Sequence, residues 1–164
     1  MKRNIIFIAA LFIILGIAAS LAMGEKGGTK WKNFNEGVKQ SKTGRKKMLI
    51  DVYTNWCGWC KKMDQNTYSD KEIVKYLNAN FISVKLNAEA DESLTYNSVN
   101  YTEQQLAREF GITEFPATLF LDENQKPITV VPGYIESKEM IKILRFINED
   151  AYKTRSYEDF IKSL

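Results

Sequence analysis

The chain has 164 residues, of which 45% are hydrophobic and 26% charged, and this balance predicts one globular domain with a hydrophobic core of its own. Its formal net charge is only +3, without a basic stripe interleaved with aromatic residues, so nothing in it indicates nucleic-acid binding. With two cysteines and no histidine, the chain also lacks the roughly four Cys or His ligands that a structural zinc site needs.

The first residues have the features of a targeting segment. Lys2 and Arg3 precede an uncharged apolar run over residues 5–19, and Ser20-Leu21-Ala22 has the small-x-small form of a cleavage site. We predict a signal peptide over residues 1–22. The alternative is an uncleaved N-terminal membrane anchor, because the run approaches the length of a membrane span. Both interpretations place the domain outside the cytoplasm, either in the periplasm or secreted. An uncleaved anchor would leave the domain attached to the inner membrane.

A polar linker over residues 23–30 is expected to precede a single domain over residues 31–164. Apolar spacing and turn residues predict these elements in order: helix 32–41, strand 48–53, helix 57–65, helix 70–78 capped by Ser69, strand 81–86, helix 102–110 with Thr102 and Gln105 in a capping box, strands 117–121 and 128–131 as a hairpin, helix 137–148 and helix 156–164.

This order predicts an α/β fold in which a central mixed sheet has helices on both faces. The insertion over residues 88–101 is expected to be a solvated loop, with a partner-binding rim as the alternative. The extra C-terminal helix is expected to cover one face of the sheet, and the alternative is that it docks a partner.

Both cysteines lie in Trp56-Cys57-Gly58-Trp59-Cys60, directly after the apolar strand. At a helix start, unpaired backbone N–H groups and the helix dipole favour the thiolate of Cys57, which we expect to be the more exposed thiol. Cys60 follows three residues later on the same helix face, within reach of a disulfide. Cys57 can then attack a partner disulfide and Cys60 can resolve the mixed disulfide. The alternative is a disulfide with a purely structural role, although a disulfide that closes so short a loop adds little stability.

Residues 49–61 resemble the active-site segment of thioredoxins, with Asp51 and Trp56 at the matching acid and tryptophan. Residues 81–87 look like the next thioredoxin strand, residues 111–121 look like the segment with the family's cis-proline, and Gly133 matches a glycine before the last helix. Residues 61–70 most resemble the C-terminal domain of the transmembrane reductase DsbD and its small secreted relatives. The resemblance covers about 31–147 and implies a thioredoxin fold.

Two features depart from the family pattern. The dipeptide between the cysteines is Gly58-Trp59 rather than Gly-Pro, and this dipeptide tunes the redox potential across the family. The segment between Asn87 and Gly111 is roughly a dozen residues longer than in a minimal thioredoxin, which is long enough for a role of its own.

The resemblance also implies roles for individual residues. It pairs Asp51 with Lys85 beneath Cys60, where a buried carboxylate of raised pKa would take the proton of Cys60; a satisfied structural acid is the alternative. Five residues are expected to contact substrate: Trp56, Gly58, Trp59, Phe115 and Pro116. Phe115 would do so through its backbone, and the peptide bond before Pro116 would be cis. No metal or cofactor is expected besides the redox-active Cys57–Cys60 pair.

We therefore predict an extracytoplasmic thiol:disulfide oxidoreductase of the protein-disulfide reductase type. Its partners would be proteins with disulfides and an upstream thiol electron donor such as a membrane reductase, and the protein itself is expected to be a monomer. The alternative is a non-catalytic thioredoxin-fold binding module in which Cys57–Cys60 is a permanent structural bridge.

Overall fold

The computed structural model describes residues 27–164. The predicted signal peptide or membrane anchor over residues 1–22, the cleavage after Ala22 and the first part of the linker lie outside the described residues. Over residues 27–164, no helix combines the length and the apolar character that a membrane crossing needs.

The described residues form six strands, six α-helices and one short 3₁₀ turn. In chain order they are α1 (Phe34–Gly44), β1 (Met48–Tyr53), α2 (Gly58–Asn66), α3 (Lys71–Asn80), β2 (Ile82–Asn87), β3 (Ser93–Tyr96), β4 (Val99–Thr102), α4 (Glu103–Glu109), β5 (Ala117–Leu121), β6 (Pro127–Pro132), α5 (Ser137–Asn148), the 3₁₀ turn (Ala151–Lys153) and α6 (Tyr157–Lys162).

The central sheet has four strands in the order β2-β1-β5-β6. Strand β1 runs parallel to β2 and antiparallel to β5, and β5 runs antiparallel to β6. The predicted mixed sheet is therefore confirmed. In the parallel pair, Asp51 of β1 stands opposite Lys85 of β2.

Alternation along β1 divides the core between the two faces of the sheet. Ile50 and Val52 pack with residues of α1 and α4 on one face. Leu49 packs on the other face with residues of α2, α3 and α5. Asp51 has the same parity as Leu49, so its side chain points to the face that holds α2, the helix that begins directly after Cys57 and contains Cys60.

The insertion is not the solvated loop that the sequence predicted. Strands β3 and β4 form an antiparallel hairpin across Asn97 and Ser98, which both have positive φ, as a tight hairpin turn requires. Leu94 and Tyr96 are buried against the core, and the Tyr96 hydroxyl donates to the Gln125 carbonyl at 2.9 Å. Two buried residues in alternation were too short a signal to predict the strand.

Two predicted helix starts are shifted. Helix α1 begins at Phe34 rather than at residue 32, because Asn33 caps it by accepting from the Glu36 N–H at 2.9 Å. The N-cap of α3 is Asp70 rather than Ser69, and its carboxylate accepts from two N–H groups of the first turn. The capping box of Thr102 and Gln105 in α4 is confirmed.

The C-terminal helix α6 packs against α5 and the 3₁₀ turn rather than against the strands, so the prediction that it covers a face of the sheet is wrong. Its buried Phe160 contacts the ring of Phe146 with 5.3 Å between centroids. The Tyr157 hydroxyl donates to Glu139 at 2.6 Å. Helix α5 already occupies the sheet at this position through Met140 and Leu144, which leaves α6 in an outer layer.

Candidate active site around Cys57 and Cys60

The two cysteines form a disulfide at the N-terminus of α2, with their Cα atoms 5.3 Å apart. Cys57 is the N-cap residue, and its Sγ accepts a hydrogen bond from the Cys60 N–H at 3.0 Å. A sulfur in this position satisfies one of the N–H groups that a helix leaves unpaired at its start. The predicted placement of Cys57 at the helix start is therefore confirmed, and a thiolate formed there would have the same donor.

In the disulfide form the two cysteines do not differ in exposure, and the prediction that Cys57 is the more exposed thiol of the reduced protein stays a prediction. Cys57 and Cys60 are each 3% exposed, because Trp56 and Trp59 rather than the sulfurs form the surface here. The asymmetry between the cysteines lies in hydrogen bonding, since Cys57 Sγ is the acceptor and Cys60 supplies the donor.

Asp51 is only 2% exposed and bound to Lys85, whose Nζ lies 2.5 Å from Asp51 Oδ2. Its other oxygen, Oδ1, has no hydrogen-bond partner among residues 27–164. Burial raises the pKa of Asp51 to about 6, because desolvation outweighs the opposing effect of Lys85. Both expectations for Asp51, the raised pKa and the pairing with Lys85, are confirmed. The proton-accepting role stays a proposal.

The structure adds a second carboxylate that sequence reasoning missed. Asp64 of α2 also lies 2.5 Å from Lys85 Nζ through its Oδ1. Burial lowers the pKa of Lys85, but its contacts with Asp51 and Asp64 outweigh that effect and the pKa is raised. The available signal was the spacing, because Asp64 follows Cys60 by four residues and so lies on the same face of α2.

Aromatic rings surround the Lys85 ammonium. The ring centroids of Trp31, Tyr53 and Tyr68 lie 4.8, 5.1 and 5.6 Å from Lys85 Nζ. All three distances are short enough for cation–π attraction between the ring and the Lys85 ammonium group. The rings and the two carboxylates together hold the ammonium group in place while leaving its side chain 22% exposed.

The two tryptophans of the motif are among the most exposed large apolar side chains of the described residues. Trp56 is 68% exposed and Trp59 is 55% exposed. The Trp56 ring contacts Phe115 at 6.3 Å, and its Nε1 donates to Glu89 at 2.8 Å. A Cβ atom added at Gly58, between the cysteines, would meet no atom within 4 Å, so the surface is open at this position.

Trp59 has its own set of neighbours, which the sequence did not suggest. Its ring lies 5.4 Å from the ring of Tyr134, and Lys62 Nζ lies 4.5 Å from the Trp59 centroid. Tyr134 follows β6, so the contact joins α2 to the far strand of the sheet.

The peptide bond between Phe115 and Pro116 is cis, as the resemblance implied. The Pro116 carbonyl accepts from the Gly133 N–H at 2.8 Å, which joins the start of β5 to the end of β6. Phe115 reaches the site through its contact with Trp56. Seven of the nine predicted site residues therefore lie at or beside the N-terminus of α2, and the other two, Asp51 and Lys85, meet the same helix through Asp64.

No metal-binding cluster is evident in the described part of the chain. Over residues 27–164, no group of three or more His, Cys, Asp or Glu side chains is arranged to hold an ion.

Residues 34–148 match the family model of the thioredoxin-like domain, and the chain therefore belongs to this family. Its relatives include the thiol:disulfide interchange protein DsbD of Actinobacillus pleuropneumoniae, which is 29% identical over 101 residues, corresponding to 60% of this chain and 16% of that protein. DsbD of Campylobacter jejuni is 26% identical over 111 residues, or 67% of this chain and 18% of that protein. The chain thus spans less than a fifth of the length of these relatives.

A thioredoxin-fold protein from Helicobacter pylori has a similar structure. It superimposes with a TM-score of 0.61 at 22% sequence identity, covering 73% of this chain and 80% of that protein. The predicted thioredoxin fold is confirmed by this similarity and by the family match.

Proposed function

We propose that this protein is an extracytoplasmic thiol:disulfide oxidoreductase that reduces or exchanges disulfides in partner proteins. The observation that carries the proposal is the Cys57–Cys60 disulfide at the N-terminus of α2, with Cys57 Sγ bonded to a helix N–H. The buried Asp51–Lys85 pair on the same side of the sheet and the names of the DsbD relatives support it.

The first step uses the reduced protein. The Cys57 thiolate attacks one sulfur of a partner disulfide, a bond forms between the two sulfurs, and the second partner sulfur leaves as a thiolate. The Cys60 N–H and the positive end of the α2 dipole stabilise the Cys57 thiolate before the attack.

In the second step Cys60 resolves the mixed disulfide. Asp51 accepts the Cys60 proton, the Cys60 sulfur attacks Cys57, and the remaining partner sulfur leaves as a thiolate. The partner gains two electrons and the protein returns to its disulfide form. A carboxyl with a pKa of about 6 is deprotonated near neutral pH and still basic enough to act as the acceptor.

Turnover requires a thiol electron donor that reduces Cys57–Cys60 again, and we propose a membrane dithiol reductase for this role. Lys2, Arg3 and the apolar run that follows support an extracytoplasmic location. The proposed surface for the partner polypeptide is formed by Trp56, Gly58, Trp59, Phe115 and Pro116. The cysteine pair is the redox group of the proposed reaction, and no other cofactor takes part.

Trapping the mixed disulfide tests this function. Cys60→Ser removes the resolving thiol but leaves Cys57 at the N-cap of α2. Expressed with its own leader, this variant should accumulate covalent, reductant-sensitive complexes with extracytoplasmic proteins. Thiols are blocked with acid and an alkylating agent, and the adducts are compared on non-reducing gels.

Cys57→Ser is the matched control, because it also retains one thiol but removes the sulfur that accepts the helix N–H. It should form few adducts. Equal adduct patterns for the two variants, or none for Cys60→Ser, would contradict the enzyme and favour the binding module with a permanent bridge.

A further inference from the structure

Each exposed tryptophan beside the disulfide lies next to a charge, and the two charges have opposite signs. Trp56 Nε1 donates to the Glu89 carboxylate at 2.8 Å. Lys62 Nζ lies 4.5 Å from the Trp59 centroid and 5.7 Å from that of Tyr134. The surface around the cysteines is therefore apolar in its middle, with a negative charge beside Trp56 and a positive charge beside Trp59.

The acidic charge extends along the loop between β2 and β3. Glu89, Asp91 and Glu92 line an open concavity of about 670 Å³, which also includes Asn55, the residue before Trp56. Asp91 and Glu92 are exposed, and neither forms an ion pair within residues 27–164. Their charges are therefore available to a partner that contacts Trp56.

The basic charge lies on α2. Lys61 and Lys62 directly follow Cys60 and are exposed. Within the described part of the chain, neither lies in a salt bridge with a carboxylate; the contacts of Lys62 are the rings of Trp59 and Tyr134. A carboxylate of a partner that covers Trp59 could therefore pair with the Lys62 ammonium group, and Lys61 adds positive charge on the adjoining side of the helix.

Exposed apolar surface of this kind marks a contact site, and complementary charges give such a contact its orientation. We propose that the tryptophan surface, defined as Trp56, Trp59, Phe115 and Tyr134, binds a polypeptide segment whose cysteine has apolar neighbours and is flanked by charges of opposite sign. A basic residue of the segment faces the acidic loop, and an acidic residue on the other side of its cysteine faces Lys62, with Lys61 adding to the positive charge of this part of α2. This inference rests on the proposed function and adds the charge pattern of the partner.

Synthetic peptides test the inference through one reaction. Each peptide has a single cysteine between apolar residues, joined by a disulfide to thionitrobenzoate. In the reduced Cys60→Ser protein, the Cys57 thiolate attacks the peptide sulfur, a protein–peptide disulfide forms, and coloured thionitrobenzoate leaves. Three peptides are compared: acidic before and basic after the cysteine, the reverse order, and neutral on both sides.

One polarity should react about three to ten times faster than the reverse at low ionic strength, and the difference should shrink with added salt. A second protein, carrying Lys61→Glu, Lys62→Glu, Asp91→Lys and Glu92→Lys besides Cys60→Ser, should prefer the opposite polarity. Lys71→Glu with Lys75→Glu is the control for general charge effects, because both lysines are exposed on α3; it should keep the original preference.

The outcomes separate this inference from the proposed function. Equal rates for the three peptides, or a preference that the charge exchange does not invert, would overturn the inference while leaving disulfide exchange intact. Absence of reaction with every peptide would overturn the proposed function and the inference with it.

Discussion

At the scale of single residues, the site depends on how one ammonium group is shared. Lys85 binds the buried Asp51 and the half-exposed Asp64 at the same distance of 2.5 Å. The desolvation of Asp51 outweighs the attraction of Lys85, the nearby negative charge of Asp64 adds a smaller effect in the same direction as desolvation, and the pKa of Asp51 is raised to about 6. Asp51 can therefore change protonation state within the ordinary range of pH.

Replacing Asp51 tests its role as a proton acceptor. Asp51→Asn keeps the shape but removes the base, so partner-disulfide reduction should slow by roughly tenfold or more near neutral pH. In the native protein the rate should rise as pH increases through about 6, because the carboxyl must lose its proton before it can accept another. Rates measured across pH for both proteins check this; an identical profile for Asp51→Asn would make Asp51 a structural acid.

The same pKa has a consequence for stability. Burial raises the pKa of Asp51 from 3.8 to about 6, so the folded protein binds the proton more tightly than the unfolded chain. The free energy of unfolding therefore includes a contribution from the neutral Asp51 carboxyl. This contribution is complete below the pKa of 3.8 that Asp51 has in the unfolded chain, and it is lost as pH rises through the pKa of about 6 in the folded protein. The loss is about 3 kcal/mol in the free energy of unfolding, from roughly 1.4 kcal/mol per pKa unit. Asp51→Asn should therefore gain stability relative to the native protein as pH rises from about 4 to about 6, measured by denaturant unfolding. A constant difference between the two proteins would contradict the shift.

Asp64 and Lys85 should act on Asp51 in opposite directions. Asp64→Asn leaves Lys85 to Asp51 alone and removes a nearby negative charge, so the inflection of the pH–rate profile should move to lower pH. Lys85→Met removes the cation, so the inflection should move to higher pH. Gln65→Glu is the control, because it adds a carboxylate at an exposed neighbouring position of α2. Shifts in the same direction for Asp64→Asn and Lys85→Met would contradict the sharing of Lys85.

At the scale of elements, α1 approaches the sheet closely at Gly37. A Cβ there would lie 2.3 Å from Val84 Cγ2 and 3.0 Å from Met48 Cε. Val84 and Met48 are fully buried in the core, so they have little room to move. A glycine in the middle of a helix costs helix propensity, and here the close packing of α1 on β1 and β2 accounts for it.

Gly37→Ala should therefore destabilise the protein by about 1–3 kcal/mol, because the clash outweighs the gain in helix propensity. Gly44→Ala is the matched control at the end of the same helix, where the nearest atom to a new Cβ is Lys46 Cγ at 3.9 Å. It should be neutral or slightly stabilising. Denaturant unfolding of both variants measures the difference, and equal effects would contradict the close approach.

At the scale of the whole molecule, the sheet places the site at one edge. Strand β1 leads into the disulfide, the start of β5 carries the cis peptide bond, and the loop after β2 carries Glu89. Asn87 N–H donates to Glu103 at 2.8 Å and so fixes this loop to α4. The inserted hairpin and α4 thereby support the acidic side of the tryptophan surface, although they lie outside the cysteine motif.

The proposed extracytoplasmic location can be tested on the full-length protein. Expressed with residues 1–22, it should appear in the extracytoplasmic fraction, with a mature N-terminus at Met23 if the leader is cleaved after Ala22. Cell fractionation and N-terminal sequencing measure both. Removal of residues 1–22 is the control and should retain the protein in the cytoplasm. An intact N-terminus in the membrane fraction would instead support the anchor.

The sequence by itself determined the features that depend on neighbouring residues. The apolar run of β1, the two cysteines with two residues between them and the capping box of Thr102 are local patterns, and each was predicted at its correct place. The partner of Asp51 and the cis bond before Pro116 were predicted from the resemblance to thioredoxins. Lys85 and Pro116 lie in segments far from the cysteines in the sequence, so no local pattern could connect them with the site.

Only the tertiary structure decided the features that depend on contacts between distant segments. Asp64 joins the Asp51–Lys85 pair because α2 packs over β1 and β2, and Tyr134 meets Trp59 because β6 ends beside α2. The β3–β4 hairpin and the position of α6 also escaped prediction, since each is stabilised by burial against elements far away in the chain. Such contacts depend on three-dimensional packing and leave no periodic signal in the local sequence.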